Sequence, residues 1–335
     1  MVKEKKFIPI DLAVLRLDTL KPFDIFIKTG RDGEPYVLYS RKGQCFTDKI
    51  KQNLLLNKVA TIYVLEDVRD IYQEYVEENL QYIIKDKAIP PTKKSKIVYE
   101  SSTYVMEKLF KNPRADIISR TQRTVNNIVS LILSDRKTTR QLVRITDHDY
   151  YTHTHSVNVG VFSVAFAKEL LPGLSEEEFF ELGLGFFMHD IGKSLIPIEV
   201  IHKRGPLNEE EWKIIKTHPE KGYQILEKAG FMTDVSAKIV LQHHERVNGS
   251  GYPRGLRGDE IDIYGKICSV ADIFDAMTTE KCYQKAFSAF DALDLIKHKM
   301  FKEFDHDFFS KFVLLFAPDD TKPYSNLLEV SPKQE

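Results

Sequence analysis

The chain has 335 residues, of which 42% are apolar, 11% aromatic and 29% charged. That length is enough for about two domains, and the apolar share excludes disorder as the main state of the chain. With 48 basic and 49 acidic residues the formal net charge is −1, so no general attraction to nucleic acid or to an anionic membrane surface is expected.

The cysteines and the apolar segments indicate the compartment. Cys45, Cys268 and Cys282 are widely separated and odd in number, which is typical of a reducing environment and provides neither a disulfide framework nor a CxxC metal site. The N-terminal apolar stretch is interrupted by Asp11 and Arg16 and lacks a signal-peptide cleavage pattern. Because the longest apolar runs are too short to cross a bilayer, we expect a cytoplasmic protein without membrane insertion.

Residues 1–90 are predicted to form a small α/β domain with a regulatory or dimerisation role. Short runs of β-branched and aromatic residues favour strands, and the periodicity of residues 66–86 favours a helix. The predicted strands are Phe23–Lys28, Tyr36–Tyr39 and Ala60–Leu65, and the predicted helices are Asp48–Asn57 and Glu66–Asp86. The region contains no histidine, so no catalytic cluster is expected there. Residues 91–100 are predicted to be a linker, because the paired prolines and four lysines of residues 87–96 are typical of one.

Residues 101–320 are predicted to form a helical domain, followed by a C-terminal tail at 321–335. The helix that begins near residue 175 is expected to continue through residues 189–190 and to end at Gly192. The glycines of residues 249–258 are typical of an irregular loop. Helix starts are indicated by three patterns: Ser175 with Glu178, Asn208 with Glu211, and Thr233 or Asp234.

Histidine is concentrated in one part of the chain, since eight of the ten lie between positions 148 and 244. An adjacent histidine and aspartate in an apolar helix are costly to bury unless they are paired or bind a metal. Imidazole and carboxylate ligands without thiolate suit Fe, Mn, Zn or Ni. Each group alone could be a satisfied core residue or a helix-end charge. Their combined order indicates a metal site: His155, His189-Asp190, His218, His243-His244 and Asp272.

Five segments together closely resemble the HD-GYP family of the HD phosphohydrolase superfamily. They are HSVNV, FFMHDIGK, IIKTHPEKGYQIL, LQHHERVNGSGYPRGL and VADIFDAMTTEKCYQKA. The similarity covers residues 150–317, and HHE followed by GYPxGL is its most specific part. The resemblance implies an all-α metal-dependent HD-type domain that hydrolyses cyclic di-GMP. The expected fold is therefore this helical domain preceded by the small α/β domain.

The resemblance also implies two divalent metal ions, with iron favoured and Mn, Ni or Zn as alternatives. Asp190 would bridge the two ions. The other ligands would divide between them, with His155, His189 and Asp272 on one ion and His218, His243 and His244 on the other. This count leaves open coordination positions, as in a catalytic site. A metal-bridging hydroxide would then attack the phosphorus atom of the substrate.

Lys193 matches the family lysine and is predicted to act in catalysis with Asp190 by contacting a substrate phosphate. A cation at a helix C-terminus is the alternative. The other substrate-binding candidates are Lys203, Tyr252, Lys281, Tyr283 and Lys285. Each has an ordinary alternative, because lysines can be solvated and tyrosines can anchor a loop through a buried ring.

Five positions depart from the family pattern. Tyr151 stands where many members carry a glutamate that can recruit a third metal, so two metals are predicted. Asn248 replaces an aspartate, and Lys281 replaces an arginine whose bidentate fork suits phosphate or guanine edges. Gln284 removes a cation, and His306 replaces a proline. These changes leave the metal ligands complete but alter the residues expected to bind substrate.

The favoured function is hydrolysis of cyclic di-GMP to the linear dinucleotide, with continuation to GMP left open. Two alternatives stay open: a weakly active or inactive signalling protein that binds nucleotide or partner proteins, and a hydrolase of another cyclic dinucleotide. Signalling proteins could bind through the GYP loop or the N-terminal domain, and a homodimer is compatible with the sequence. No nucleic-acid partner is expected.

Overall fold

A computed structural model describes residues 5–29, 36–146, 151–203, 205–280, 285–300 and 306–316. The contacts divide the chain into two compact units, Met1–Ser101 and Ser102–Glu335. The turn predicted at Gly30 and Gly33, the 281–284 segment and the 321–335 tail lie outside the described residues.

The first unit contains a four-stranded antiparallel sheet with strand order β1-β6-β3-β4 and a separate two-stranded ribbon of β2 and β5. The strands are β1 (Phe7–Asp11), β2 (Thr19–Leu20), β3 (Ile25–Lys28), β4 (Tyr36–Ser40), β5 (Cys45–Phe46) and β6 (Thr61–Leu65). Ile25, Ile62 and Val64 are fully buried on this sheet. Helices α1 (Asp48–Leu56) and α2 (Arg69–Lys85) complete the unit, which confirms the predicted α/β region.

Residues 91–100, predicted to be a linker, are helical and form the first half of α3 (Pro91–Lys111). Pro91 occupies the first helical position, where its fixed φ suits a helix and its missing N–H is not needed. Ile97 and Val98 are 6% and 0% exposed. The segment is therefore an amphipathic helix, and the prolines mark its beginning rather than an irregular connection.

The second unit is helical, as predicted, and is built around α6. Its helices are α4 (Ala115–Ser134), α5 (Arg136–Ile145), α6 (Thr152–Leu170), α7 (Glu176–Phe187), α8 (Ile198–Ile201), α9 (Glu209–Ile215), α10 (His218–Lys228), α11 (Asp234–Gln242), α12 (Ile263–Thr278), α13 (Ala289–Met300) and α14 (His306–Phe316). Residues 156–167 of α6 are all buried, and the helix packs against α4, α7, α12 and α14. Within the described ranges, no helix combines the length and apolarity needed to cross a membrane.

The predicted helix starts are confirmed. Capping boxes open α7 at Ser175 and α9 at Asn208, and the Thr233 side chain accepts a backbone N–H at the start of α11. These caps use contacts three residues apart, so a short stretch of sequence is enough to specify them.

The predicted end of α7 is wrong. The helix stops at Phe187, and residues 189–190 lie in a turn before the 3-10 helix Ile191–Leu195. Gly192 does not close the helix. A Cβ atom at Gly192 would lie 1.9 Å from the His218 carbonyl oxygen, so this glycine permits the turn to pass close against the start of α10.

Candidate metal centre

The seven predicted ligands come from five places in the second unit and meet at one site. His155 lies in α6, residues 189–190 follow α7, His218 begins α10, residues 243–244 follow α11, and Asp272 lies in α12. Six of them fall into two groups of mutually close ligand atoms that share Asp190: Asp190, His218, His243 and His244 in one, and His155, His189 and Asp190 in the other. Asp272 lies outside both groups but contacts His155.

The two carboxylate oxygens of Asp190 face different histidines. Oδ2 lies 3.5 Å from His189 Nε2 and 3.6 Å from His155 Nε2. Oδ1 lies 3.2 Å from His218 Nε2 and 3.7 Å from His243 Nε2. A carboxylate held in this way can serve one cation on each side.

The backbone orients three of these imidazole rings. The Nδ1 atoms of His189, His218 and His243 donate to the carbonyl oxygens of Phe186 (2.8 Å), Ile215 (2.8 Å) and Val240 (2.9 Å). With Nδ1 donating to the backbone, the Nε2 atom of each ring faces Asp190, which is the arrangement seen in metal-binding histidines.

The side-chain nitrogen and oxygen atoms at the centre of the cluster are close enough to share a cation. His218 Nε2 and His243 Nε2 are 3.1 Å apart, close to the spacing of about 3 Å expected for two nitrogens at right angles on an ion about 2.1 Å from each. Among the described residues, His189 Nε2 and Asp190 Oδ1 are buried without a hydrogen-bond partner. Buried polar atoms rarely remain unpaired, so these atoms fit a bound cation.

The protonation states favour metal binding. Burial lowers the pKa of His218, lowers that of His243 to about 4, and lowers that of His244 well below its usual range. Burial alone would raise the pKa of Asp190, but the Lys193 ammonium and the neighbouring imidazoles hold it well below its usual range. At neutral pH His218, His243 and His244 are therefore neutral and Asp190 is ionised, which are the ligand forms that metals require.

A second aspartate, which sequence reasoning missed, orients His155. Asp275 Oδ2 lies 2.6 Å from His155 Nδ1, and Asn158 Nδ2 donates to Asp275 Oδ1 at 2.8 Å. Asp272 Oδ1 lies 3.0 Å from His155 Nε2. Burial would lower the pKa of His155, but hydrogen bonds to Asp272 and Asp275 raise it to about 10. The sequence signal that could have revealed Asp275 is its spacing from Asp272, because side chains three residues apart in a helix lie on the same face.

A cavity of about 360 Å³ opens over the cluster, within the size range of ligand sites. Its lining includes four candidate ligands, His155, His218, His244 and Asp272, together with Lys193, Lys203, Trp212 and Tyr252.

Some of the residues predicted to bind substrate line the cavity, and others do not or lie outside the described residues. Lys193 Nζ donates to Asp190 Oδ2 at 2.5 Å, so its cation reaches the cluster. Lys203 lines the cavity while paired with Glu211 at 2.5 Å. Lys285 is exposed beyond the end of α12 and is not among the described residues that line the cavity. Lys281, Tyr283 and Gln284 lie outside the described residues, as does the side chain of His306.

Tyr252 lies in the glycine-rich loop of residues 249–258 and contacts a histidine of the cluster. Its ring stacks on that of His244, with centroids 4.7 Å apart and planes at 29°, and Lys216 Nζ lies 5.5 Å from its ring centroid. Burial raises the pKa of the Tyr252 hydroxyl. Tyr151, by contrast, immediately precedes α6 and is 56% exposed, and its ring stacks on that of His153 in the first turn of the helix.

Glu245, a residue that sequence reasoning left unassigned, holds the glycine-rich loop in place. Its side chain is 2% exposed and accepts the backbone N–H groups of Arg254 (2.7 Å) and Leu256 (3.0 Å) on its two oxygens. Asn248 Oδ1 accepts the Ser250 N–H at 2.9 Å, a role that the aspartate of the family pattern could also fill. The substitution therefore keeps this turn intact.

We predict that Glu245→Gln lowers the free energy of unfolding by about 1–3 kcal/mol, because the amide NH₂ would face a backbone N–H and leave a buried donor unsatisfied. Denaturant titration of the full chain measures the change. Glu210→Gln, at a side chain 77% exposed, is the matched control and should leave stability within about 0.5 kcal/mol. Equal stability of the two variants would show that the loop does not depend on Glu245.

Comparison with known proteins identifies the class to which this fold and cluster belong. Residues 137–308 match the family of HD domains, slightly more than half of the chain, and the chain therefore belongs to the HD domain family. The resemblance to HD-GYP proteins is confirmed by this match and by the relatives that follow.

Three curated relatives illustrate the similarity. The chain is 43% identical over 137 residues to a cyclic di-GMP phosphodiesterase of Thermotoga maritima, covering 41% of this chain and 37% of the relative. It is 32% identical over 169 residues to a cyclic di-GMP phosphodiesterase of Pseudomonas aeruginosa, covering 50% of this chain and 40% of the relative. It is 37% identical over 150 residues to 3'3'-cGAMP-specific phosphodiesterase 1 of Vibrio cholerae, covering 45% of this chain and 34% of the relative. The chain thus spans well under half the length of these relatives.

A solved structure supports the fold of nearly the whole chain. An HDG"Y"P protein from Bdellovibrio bacteriovorus aligns with a TM-score of 0.64, covering 92% of this chain and 99% of that chain at 22% identity. At this identity the likeness concerns the fold alone.

Proposed function

We propose that this chain is a metal-dependent phosphodiesterase that hydrolyses cyclic di-GMP to the linear dinucleotide and then to GMP. The observation that carries the proposal is the buried Asp190 carboxylate, whose two oxygens face separate histidine groups, and His155, His218 and His244 of these groups also line an open cavity. The names of the curated relatives supply the substrate class, cyclic dinucleotides.

The ligand set fits divalent metal ions, because five imidazoles and two carboxylates meet without any thiolate. We propose two ions, iron in preference to Mn, Ni or Zn. His155, His189 and Asp272 would hold one ion, His218, His243 and His244 the other, and Asp190 both. Such ions supply Lewis-acid stabilisation of phosphate oxygens and lower the pKa of a bound water.

The protein's own side chains position the substrate. The Lys193 ammonium, beside Asp190 at the cavity floor, would hold a non-bridging phosphate oxygen and stabilise the charge that grows there during bond cleavage. Tyr252 covers one face of His244 and so restricts the access of water to that ring. Lys203 would reach a second phosphate only if its pair with Glu211 opens, so we assign it a secondary role.

Product analysis tests the proposal. The purified full chain is incubated without oxygen with Fe(II) or Mn(II) and cyclic di-GMP, and the linear dinucleotide and GMP are separated by chromatography while bound metal is counted. The proposal expects metal-dependent product. Bound metal with no product would contradict it and would favour the signalling alternative.

A second cyclic dinucleotide belongs in the same assay, because one group of relatives is named for 3'3'-cGAMP. If 3'3'-cGAMP were cleaved and cyclic di-GMP were not, the reaction type would stand and the substrate assignment would be wrong. The homodimer, the signalling partners and the cytoplasmic location remain predictions.

Tyr151→Glu is expected to add a third bound ion. The backbone carbonyl of Tyr151 accepts the His155 N–H at 2.9 Å, one helical turn before the cluster, so a carboxylate there would be a further oxygen ligand close to His155. Metal analysis of the purified variant measures the change from two ions to three. Tyr151→Gln, similar in size to glutamate and without charge, should stay at two. Two ions in both variants would contradict this account of position 151.

A further inference from the structure

Trp212 is the single tryptophan of the chain and is placed on the wall of the cavity. Its side chain remains 47% exposed, and Ile215, nearly one turn further along α9, lines the same cavity. Tryptophan is highly buried in most proteins because its ring contributes a large apolar area. A half-exposed indole that lines a ligand cavity is therefore a candidate contact surface for the ligand.

The backbone of Trp212 is held in place, while its ring is left open. Trp212 lies in the first turn of α9, whose capping box joins Asn208 and Glu211, and its backbone N–H donates to the Asn208 carbonyl at 2.9 Å. Lys203 fastens Glu211 from outside the helix. Within the described parts of the chain, no residue hydrogen-bonds the indole N–H or stacks on its ring. The ring is therefore a preorganised apolar face that also carries a donor.

Among the described residues that line the cavity, Tyr252 is the other large aromatic side chain, and its ring already has neighbours. His244 covers it at a centroid distance of 4.7 Å, and the Lys216 ammonium lies 5.5 Å from its centroid. Lys216 follows Trp212 by one helical turn. The two aromatic residues thus belong to one wall, and among the described residues Trp212 is the member whose ring has no such neighbours.

The cavity lining combines a charged part with an apolar part. The Lys193 ammonium lies against Asp190 at the metal cluster, where a phosphate would bind, while Trp212 and Ile215 provide apolar surface on α9. A nucleotide has the same two parts, an anionic phosphate and a flat aromatic base. We propose that Trp212 is the stacking platform for a purine base of the substrate, with its phosphate at Lys193 and the metal cluster. This inference rests on the proposed function and adds a residue that determines its preference for nucleotides.

Fluorescence tests the contact without requiring turnover, because the chain has one tryptophan. The metal-loaded full chain is titrated with GMP, and ribose 5-phosphate, which lacks the base, is the matched probe. Stacking predicts saturable quenching of the indole emission by GMP and none by ribose 5-phosphate. Equal effects of the two probes, or no quenching by either, would overturn the inference.

Kinetics provide the second readout. A base stack is worth about 1–3 kcal/mol, so Trp212→Ala should raise KM for cyclic di-GMP by about 5- to 150-fold. Because the stack would contact the base and not the reacting phosphorus, it would act equally before and during cleavage, and kcat should change little. Trp212→Phe keeps a flat ring and should recover most of the KM. Lys213→Ala, at a side chain 70% exposed on the same helix, is the control.

The outcomes separate this inference from the proposed function. Quenching by GMP without any turnover would leave the stacking platform intact and refute the enzyme. Turnover with an unchanged KM in Trp212→Ala would refute the platform and leave the enzyme intact. A fall in kcat equal to the loss in kcat/KM would also refute it, since that pattern marks an interaction made only during bond cleavage.

Discussion

Asp190→Asn is expected to remove bound divalent metal from the protein and to lower turnover of cyclic di-GMP by more than about 1,000-fold. Loss of a single preorganised electrostatic group in an active site already costs about 100- to 1,000-fold, and here one carboxylate serves two ligand groups. An asparagine presents one oxygen and one NH₂ group, so it can face only one side of the cluster as a ligand. The metal content and product formation are measured on the same sample.

The Asp190→Asn change preserves the volume of the side chain, so the test reports the lost carboxylate rather than altered packing. Glu210→Gln, another carboxyl-to-amide change but at an exposed pair with Lys213, should retain metal and activity. Metal retained at wild-type stoichiometry in Asp190→Asn would refute the bridging assignment. Metal reduced from two ions to one would show that one side of the cluster binds independently.

Asp275→Asn is expected to weaken metal binding by about 10- to 100-fold, the usual cost of losing a partner that orients a ligating histidine. The Asn158 amide N–H₂ donates to Asp275 Oδ1, so the amide introduced by this substitution would keep its oxygen there and turn its own NH₂ towards His155 Nδ1. That donor would force the His155 proton to Nε2, the atom that faces Asp190 and Asp272. The ring would then be the wrong tautomer for a ligand.

Metal titration by calorimetry or by competition with a chelator measures the Asp275→Asn effect. If two ions bind as proposed, the loss should be confined to the ion held by His155, because His218 and His243 are oriented by backbone carbonyls rather than by Asp275. Adding Asn158→Ala should recover part of the affinity, since the introduced amide could then rotate its oxygen towards His155; this double variant measures the coupling directly. Equal weakening of both ions, or no recovery, would indicate a general structural defect.

The helix starts were accessible from the sequence because they depend on short-range information, and the candidate ligands because of their residue types and their order along the chain. Ser175 with Glu178 and Asn208 with Glu211 interact over three residues and form the predicted capping boxes. Imidazoles and carboxylates can be recognised by type, and their order along the chain carried the family resemblance.

Other features depend on atoms that are distant in the sequence. The helix over residues 91–100 was missed because prolines and lysines suggest a linker until the burial of Ile97 and Val98 is known. The end of α7 was misplaced because the turn at Gly192 is required by the approach of the His218 carbonyl. Asp275 and Trp212 lacked a motif of their own, and their roles depend on neighbours in α6 and on the cavity wall.

The sequence by itself determined the class of this protein, its HD-type helical unit and the seven side chains expected to bind metal. Only the tertiary structure decided which oxygen of Asp190 faces which histidines, that Asp275 orients His155, and that Trp212 borders the cavity. The physical reason is that ligand type and helix capping are local properties. The direction of a lone pair or the exposure of a ring is decided by packing between helices that are far apart in the chain.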